Sequence, residues 1–228
     1  MSGARVGVAV PAAGSGRRMG GVQKAFLELA GEPVLLHALR PFLGHAQVVS
    51  VVVALSPEDA LDPPEWLTSL DPRVRVVAGG ATRTESVRKA VRALPDDVTV
   101  VAVHDAARPL VRPEVVTRCI EVAEGGEGAV AGSPVVDTLK EVDADGLVVA
   151  TTDRSRVWHA HTPQVFPAGL AFHAYEQPGA EATDDAALVE GVGGRVRMID
   201  DGRWNLKVTR PADLPVAEAL LRLGGERP

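Results

Sequence analysis

The chain has 228 residues, 46% of them hydrophobic and 24% charged, with a formal net charge of −6. That length suits one domain, expected over residues 1–228, and the composition excludes disordered, fibrous and membrane-spanning classes. The acidic balance also argues against a general nucleic-acid or membrane-surface role, so any positive field must be local.

The first element is an apolar run, Val6 to Val10, which breaks at Pro11 into a loop of small residues ending at Lys24. The loop holds Ala12, Ala13, Gly14 and Gly16, then Arg17 and Arg18. Glycine and alanine let backbone N–H groups come close to a ligand, and successive amides form an anion-binding concavity. With two arginines and a lysine added, the loop is suited to phosphates. It matches neither familiar phosphate loop. Met19 stands where the dinucleotide fingerprint needs its last glycine, and Ala25 follows Lys24 where a P-loop needs Ser or Thr. Arg5 and the apolar run faintly resemble a secretory leader, but glycines and arginines interrupt them, and a cytoplasmic location is expected.

Residues 34–42 carry apolar side chains at helical spacing. Val48–Leu55 is a continuous apolar run of the buried parallel-strand kind, and the Pro- and Asp-rich residues 56–72 predict a helix start and a loop. Val74–Ala78 is a short strand ending in Gly79-Gly80, with a helix expected over 84–94. Residues 98–103 are the next buried strand, and His104-Asp-Ala-Ala-Arg-Pro109 follows. Pro113–Glu124 is a helix. It holds the single cysteine, Cys119, whose apolar pattern predicts packing and not nucleophilic chemistry.

After residues 129–134 the character changes. Residues 135–142 and 147–152 predict two strands joined at Asp143-Ala-Asp-Gly146, a hairpin signal. An arm protruding over about 135–160 is expected there. Residues 168–175 and 184–190 predict helices, Val196–Asp200 a strand, and 211–223 a closing helix.

Alternating strands and helices predict an α/β fold: a mostly parallel, Rossmann-like twisted sheet with helices on both faces. Ligands bind such sheets beyond the carboxyl ends of the strands. The loops at 11–24, 79–86 and 104–109 all fall there, so three loops converge on one crevice. Only four of the 24 Lys+Arg are lysines (Lys24, Lys89, Lys140 and Lys207), so a loop lysine hints at a compact point charge.

Together these segments resemble the cytidylyltransferases that act on polyol phosphates, most closely those of the non-mevalonate isoprenoid pathway that use 2-C-methyl-D-erythritol 4-phosphate. The likeness rests on residues 11–19, Gly79-Gly80, His104 to Pro109, Asp137-Thr-Leu-Lys140, Asp153-Arg154 with Trp158-His159, Thr162-Pro-Gln164, Thr183-Asp184 and Asn205 to Pro211. It runs in order along nearly the whole chain.

The resemblance implies that a substrate phosphate attacks the α-phosphate of CTP and pyrophosphate leaves. It assigns Arg18 and Lys24 to transition-state charge, and Arg154 and Lys207 to positioning the attacking phosphate. Pro11, Ala12, Ala13, Gly14, Gly16, Gly80, Ser86 and Asp105 would cradle the nucleotide. Asp105 would also help hold Mg²⁺. Arg108, Thr138, Thr162 and Thr183 would contact the polyol phosphate. The resemblance further implies a homodimer with active sites shared through the arm, and neither nucleic-acid nor membrane partners.

Three features depart from the family pattern. The loop from Arg18 to Lys24 is one residue short with Gln23 before the lysine, Ala81 stands where an aspartate can occur, and Asp201-Gly-Arg-Trp204 is atypical. The competing readings are a ribitol-5-phosphate cytidylyltransferase, a sugar-1-phosphate nucleotidyltransferase, and a nucleotide-binding module without turnover.

Overall fold

A computed structural model describes residues 3–14, 24–177, 179 and 182–225, with Lys24 and Gly225 described by their backbone alone. Gly16, Arg17 and Arg18 therefore lie outside the described residues.

Strand β1 (Val6–Pro11) opens the chain. A 3₁₀ turn at Lys24–Phe26 and a small ribbon of β2 (Glu28–Leu29) and β3 (Glu32–Pro33) lead into helix α1 (Val34–Leu43). Then come β4 (Val48–Leu55), two short helices α2 (Pro57–Leu61) and α3 (Glu65–Thr68), β5 (Val74–Ala78) and α4 (Arg83–Arg92). Next are β6 (Val100–Val103), α5 (Pro113–Glu124) and β7 (Gly128–Pro134). The hairpin β8 (Leu139–Val142) and β9 (Val148–Thr152) precedes the ten-residue β10 (Trp158–Pro167). Helices α6 (Ala168–Glu176) and α7 (Asp185–Gly191), strand β11 (Val196–Asp200) and helix α8 (Asp213–Gly225) complete the described chain.

Seven strands form one sheet in the order β11-β7-β10-β6-β1-β4-β5. The pairs β1–β4, β1–β6, β4–β5 and β11–β7 are parallel, whereas β10 runs antiparallel to β6 and to β7. The mostly parallel α/β sheet expected from the sequence is thus present, with one reversed strand inside it.

The β-branched runs are buried on both faces because successive side chains point opposite ways. Val8, Val10, Val51, Val53 and Ala102 pack on one side against Leu35, Leu39 and Phe42 of α1 and Val116 and Ile120 of α5. Ala9, Val52, Ala54, Val101 and Val103 pack on the other against Val87 and Val91 of α4, Ala171 and Tyr175 of α6 and Val189 of α7. Cys119 is fully buried within the first cluster, as its pattern predicts.

Several boundaries differ from the sequence reading. Strand β10 went unanticipated, since its polar residues and Pro163 interrupt any apolar run. Residues 56–72 hold two helices instead of one start. The arm's first strand begins at Leu139, and the stretch from Val135 to Thr138 is irregular. The hairpin turn forms as expected: Asp143 Oδ1 accepts from the N–H groups of Asp145 and Leu147, and Gly146 takes φ +83°.

Candidate active site

The register fixes where the site lies. Gln164 pairs with Val103, the last residue of β6, so Thr162 stands just past the carboxyl end of that strand, beside the residues that follow it. The loop His104 to Pro109 leaves β6 there, and the turn Ala12 to Gly14 leaves the neighbouring β1.

Asp105 is the centre of the described cluster. Its Oδ2 accepts from Lys207 Nζ at 2.6 Å and its Oδ1 from Arg83 Nε at 3.0 Å, with Arg108 Nε 4.0 Å from Oδ2. Burial alone would push this carboxyl up. The guanidinium of Arg83 and the ammonium of Lys207, with Arg108 behind them, instead hold it well below the usual carboxylate range. Three cations thus converge on Asp105, and the most exposed of them, Lys207, is placed to meet an anionic ligand.

Beneath Asp105 lies a buried polar relay. His104 is fully buried, and burial pulls its imidazole down to about 4, so the ring is neutral. Its Nε2 is 3.0 Å from the carbonyl of Arg108, which can only accept, so Nε2 carries the proton. Nδ1 then accepts from the Thr162 hydroxyl at 3.1 Å, and that oxygen accepts from the Asp105 N–H at 3.0 Å. Arg108 is buried too and donates from Nη1 to the carbonyl of Asn205 at 2.6 Å. Asn205 Nδ2 donates in turn to the Thr162 carbonyl at 2.6 Å and to Asp201 Oδ2 at 3.0 Å. Thr162 and Arg108, assigned to the polyol phosphate on resemblance, are here parts of the wall that carries Asp105 and Lys207.

The nucleotide-side loops are braced in the same way. Pro11 has no N–H, and the N–H of Ala12 donates to the Ala54 carbonyl at 2.8 Å, extending the sheet. The amides of Ala13 and Gly14 make no backbone hydrogen bond with another described residue. Ser86 is buried; its Oγ accepts from the Gly80 N–H at 3.0 Å and donates to the Thr82 carbonyl at 2.9 Å. Gly79 passes so close to Ala13 that a Cβ built on it would stand 2.6 Å from the alanine methyl. At Ala81 the N–H donates to Glu85 Oε2 at 2.8 Å, closing the turn into α4.

The remaining assignments fall at exposed positions or on a residue described by its backbone alone. Thr138 and Arg154 are exposed, one at the entry to the hairpin and the other in a 3₁₀ turn, Arg154–Arg156, capped by Asp153. Thr183 is exposed just before Asp184, the cap of α7. For Lys24 only the 3₁₀ backbone is described.

Two residues that the sequence did not single out, Arg83 and Asp185, are central here. Arg83 donates from Nη1 and Nη2 to Asp185 at 3.0 and 2.7 Å while its Nε holds Asp105. One signal was legible: Arg83 is the first residue of α4, where the helix dipole disfavours a cation unless carboxylates answer it.

The family model described as IspD, 2-C-methyl-D-erythritol 4-phosphate cytidylyltransferase, matches residues 6–223. The 2-C-methyl-D-erythritol 4-phosphate cytidylyltransferase of Symbiobacterium thermophilum is 45% identical over 221 residues, covering 95% of this chain and 92% of that protein. The protein of the same name from Frankia casuarinae is 45% identical over 219 residues, covering 95% and 81%. Among solved structures, 4-diphosphocytidyl-2C-methyl-D-erythritol synthase from Anaerococcus prevotii superposes with a TM-score of 0.84 at 26% identity, covering 95% and 96%. The 2-C-methyl-D-erythritol 4-phosphate cytidylyltransferase from Thermus thermophilus gives a TM-score of 0.79 at 33% identity, covering 94% and 98%. Matched along nearly its whole length in sequence and in fold, the chain belongs to the 2-C-methyl-D-erythritol 4-phosphate cytidylyltransferase family.

Proposed function

We propose that this chain transfers the CMP unit of CTP to 2-C-methyl-D-erythritol 4-phosphate, giving 4-diphosphocytidyl-2-C-methyl-D-erythritol and pyrophosphate, a step of isoprenoid precursor synthesis. The observation that carries this reading is the Asp105 cluster, with Lys207 and Arg83 on its two oxygens, at the carboxyl ends of β1 and β6 in a member of this family. A phosphate oxygen of the polyol phosphate attacks the α-phosphorus of CTP. The bond from that phosphorus to the oxygen bridging the β-phosphate breaks, and pyrophosphate leaves with the electron pair.

Such a displacement needs positioning and charge neutralisation more than covalent help. Lys207 is 40% exposed and can exchange Asp105 for the incoming phosphate. Arg18 and Lys24 are proposed to meet charge developing on the reacting phosphate.

Magnesium is part of the proposal. Among the described residues no three His, Cys, Asp or Glu side chains converge on a common point, so a protein-only cage is not what this site offers. A single carboxylate suits Mg²⁺, which usually keeps waters and takes its other ligands from substrate phosphates. Asp105, through the Oδ2 that Lys207 releases, would hold it, and the ion would supply further neutralisation of the triphosphate.

The arm supports a homodimer with shared sites. Strands β8 and β9 form their own two-stranded sheet, and the hairpin exposes Val142, Val148 and Val149 with Leu147 of its turn. An isolated hairpin is marginal in water, and symmetric pairing of two arms would cover these side chains. Arg154 and Thr138 would then serve the partner's crevice. Soluble phosphorylated substrates suit a cytoplasmic enzyme, and among the described residues no helix is long and apolar enough to cross a membrane.

The test is pyrophosphate release with each of the four nucleoside triphosphates against a panel of polyol phosphates, with Mg²⁺ or with chelator. CTP, methylerythritol phosphate and Mg²⁺ should be the productive combination. Equal turnover with ATP or GTP would sink the reading, and faster turnover of ribitol 5-phosphate would transfer it to that substrate. Co-refolding Lys24→Ala with Arg154→Ala chains should restore roughly a quarter of wild-type sites, because half the dimers are hybrids with one intact site each. No recovery would refute sharing.

A further inference from the structure

Lys207 and Arg83 both hold Asp105, yet they are anchored differently. Lys207 Nζ has Asp105 as its one hydrogen-bond partner among the described residues, and in the proposed reaction it moves to the substrate phosphate. Arg83 cannot move in the same way. Its two Nη atoms close a fork on Asp185, the first residue of α7, which is 1% exposed. The Tyr175 hydroxyl, from α6, donates to Asp185 Oδ1 as well. Arg83 itself starts α4, so one guanidinium ties α4 and α7 to the carboxylate at the end of β6, and α6 joins them through Tyr175. A planar fork with a separate Nε–H spans two carboxylates at once, which a single ammonium does not.

We propose that Arg83 is a positioning residue for cytidylyl transfer, acting through Asp105: anchored on Asp185 and Tyr175, it keeps that carboxylate oriented in the crevice when Lys207 leaves for the substrate. The inference rests on the reading of Asp105 as a ligand-facing residue of that reaction. Arg83 touches no substrate in this scheme, since its fork is closed on Asp185. Asp185 and Tyr175 are its supports, and neither belongs to the catalytic set.

A residue that acts only through Asp105 has no effect once Asp105 is disabled, and a double-mutant cycle reads this directly. Arg83→Gln, Asp105→Asn and the double variant are compared with wild type by kcat/KM for CTP. CTP binding by titration calorimetry replaces turnover in any background too slow to assay. Arg83→Gln should cost about tenfold or more with Asp105 present, and less than about threefold in the Asp105→Asn background. An equal loss in both backgrounds marks a general structural role and overturns the proposal, as does no loss in either. Arg83→Gln leaves a buried charge on Asp185, so Arg83→Lys, which keeps a cation there, replaces it if the first variant does not fold. The lysine variant should lose activity with the same dependence on Asp105, and wild-type activity in it overturns the proposal. Absence of turnover in the wild-type protein overturns the functional reading and this inference together, whereas an additive cycle in an active enzyme removes the inference alone.

Discussion

Thr162→Val separates a wall residue from a substrate contact. The Thr162 side chain is 4% exposed, and its oxygen links the Asp105 N–H at 3.0 Å to His104 Nδ1 at 3.1 Å. Valine keeps the shape and removes both bonds. A buried N–H and a buried ring nitrogen then lose their partners. At about 1–3 kcal/mol for each group left unsatisfied, the variant should lose at least about 2 kcal/mol of stability. Thr162→Ser keeps the hydroxyl and removes one methyl, which should cost only about 1 kcal/mol. Equilibrium urea unfolding of the three proteins measures the losses, provided the slopes agree so that the midpoints report stability. A valine variant as stable as wild type, with a raised KM for the polyol phosphate alone, would show that the hydroxyl faces the substrate and would refute the relay.

Three further expectations follow from the packing around the site. Burial pulls His104 from 6.5 to about 4 by favouring the neutral ring, so its contribution to stability is complete above about pH 6.5 and is lost as pH falls toward 4, on the order of 3 kcal/mol. Urea unfolding at pH 7.5 and 4.5 measures it, and a flat profile contradicts it; Asp105 adds to the fall only below the ordinary carboxylate range. In Gly79→Ala the new Cβ would lie 2.6 Å from Ala13 Cβ and 2.9 Å from the Leu55 carbonyl oxygen. That overpacking should cost about 1–3 kcal/mol and raise KM for CTP, and Ala13→Gly should return part of both; an unchanged melting temperature and KM would count against the close approach. Burial pushes the Cys119 thiol up to about 12, so a disulfide reagent should label it only in denaturant, and rapid labelling of the native protein would mean the α5 face opens readily.

The legible part of the fold was the part built from uniform apolar runs. Val48–Leu55 and Val6 to Val10 are buried on both faces, so nearly every position must be apolar, and that composition is visible without a structure. Strand β10 has no such mark. It lies in the middle of the sheet, yet Thr162 and Gln164 are among its buried residues. Their hydrogen bonds to His104, Asp184 and the Ala186 N–H allow this burial, and those partners lie 20 to 58 residues away in sequence. The site divided along the same line. Asp105 and Lys207 stood in segments whose residue types carry phosphate chemistry, and the structure joins them at 2.6 Å. Arg83 and Asp185 carry no motif, because what selects Arg83 is two distant carboxylates, Asp105 and Asp185, and what selects Asp185 is the Arg83 fork and the Tyr175 hydroxyl. The first loop from Ser15 to Gln23 lies outside the described residues, so its part in the site rests on sequence.

The arm sits at the carboxyl rim of the sheet because β7 ends there and the reversed β10 starts there, Trp158 pairing with Pro134. Parallel strands deliver their carboxyl ends to a single rim, where a crevice collects loops that follow strands. A strand entering from that rim instead contributes the residues that precede its core-forming half, and the chain before it must already be on that side. Here that chain is the hairpin, so a second subunit gripping it would stand over the ligand end of the molecule. Had β10 run with its neighbours, the chain leaving the end of β7 would have had to cross the length of the sheet before pairing, instead of re-entering at the rim it left. The direction of one internal strand thus returns the chain to the rim it left and keeps the hairpin at the end of the sheet where Asp105 lies.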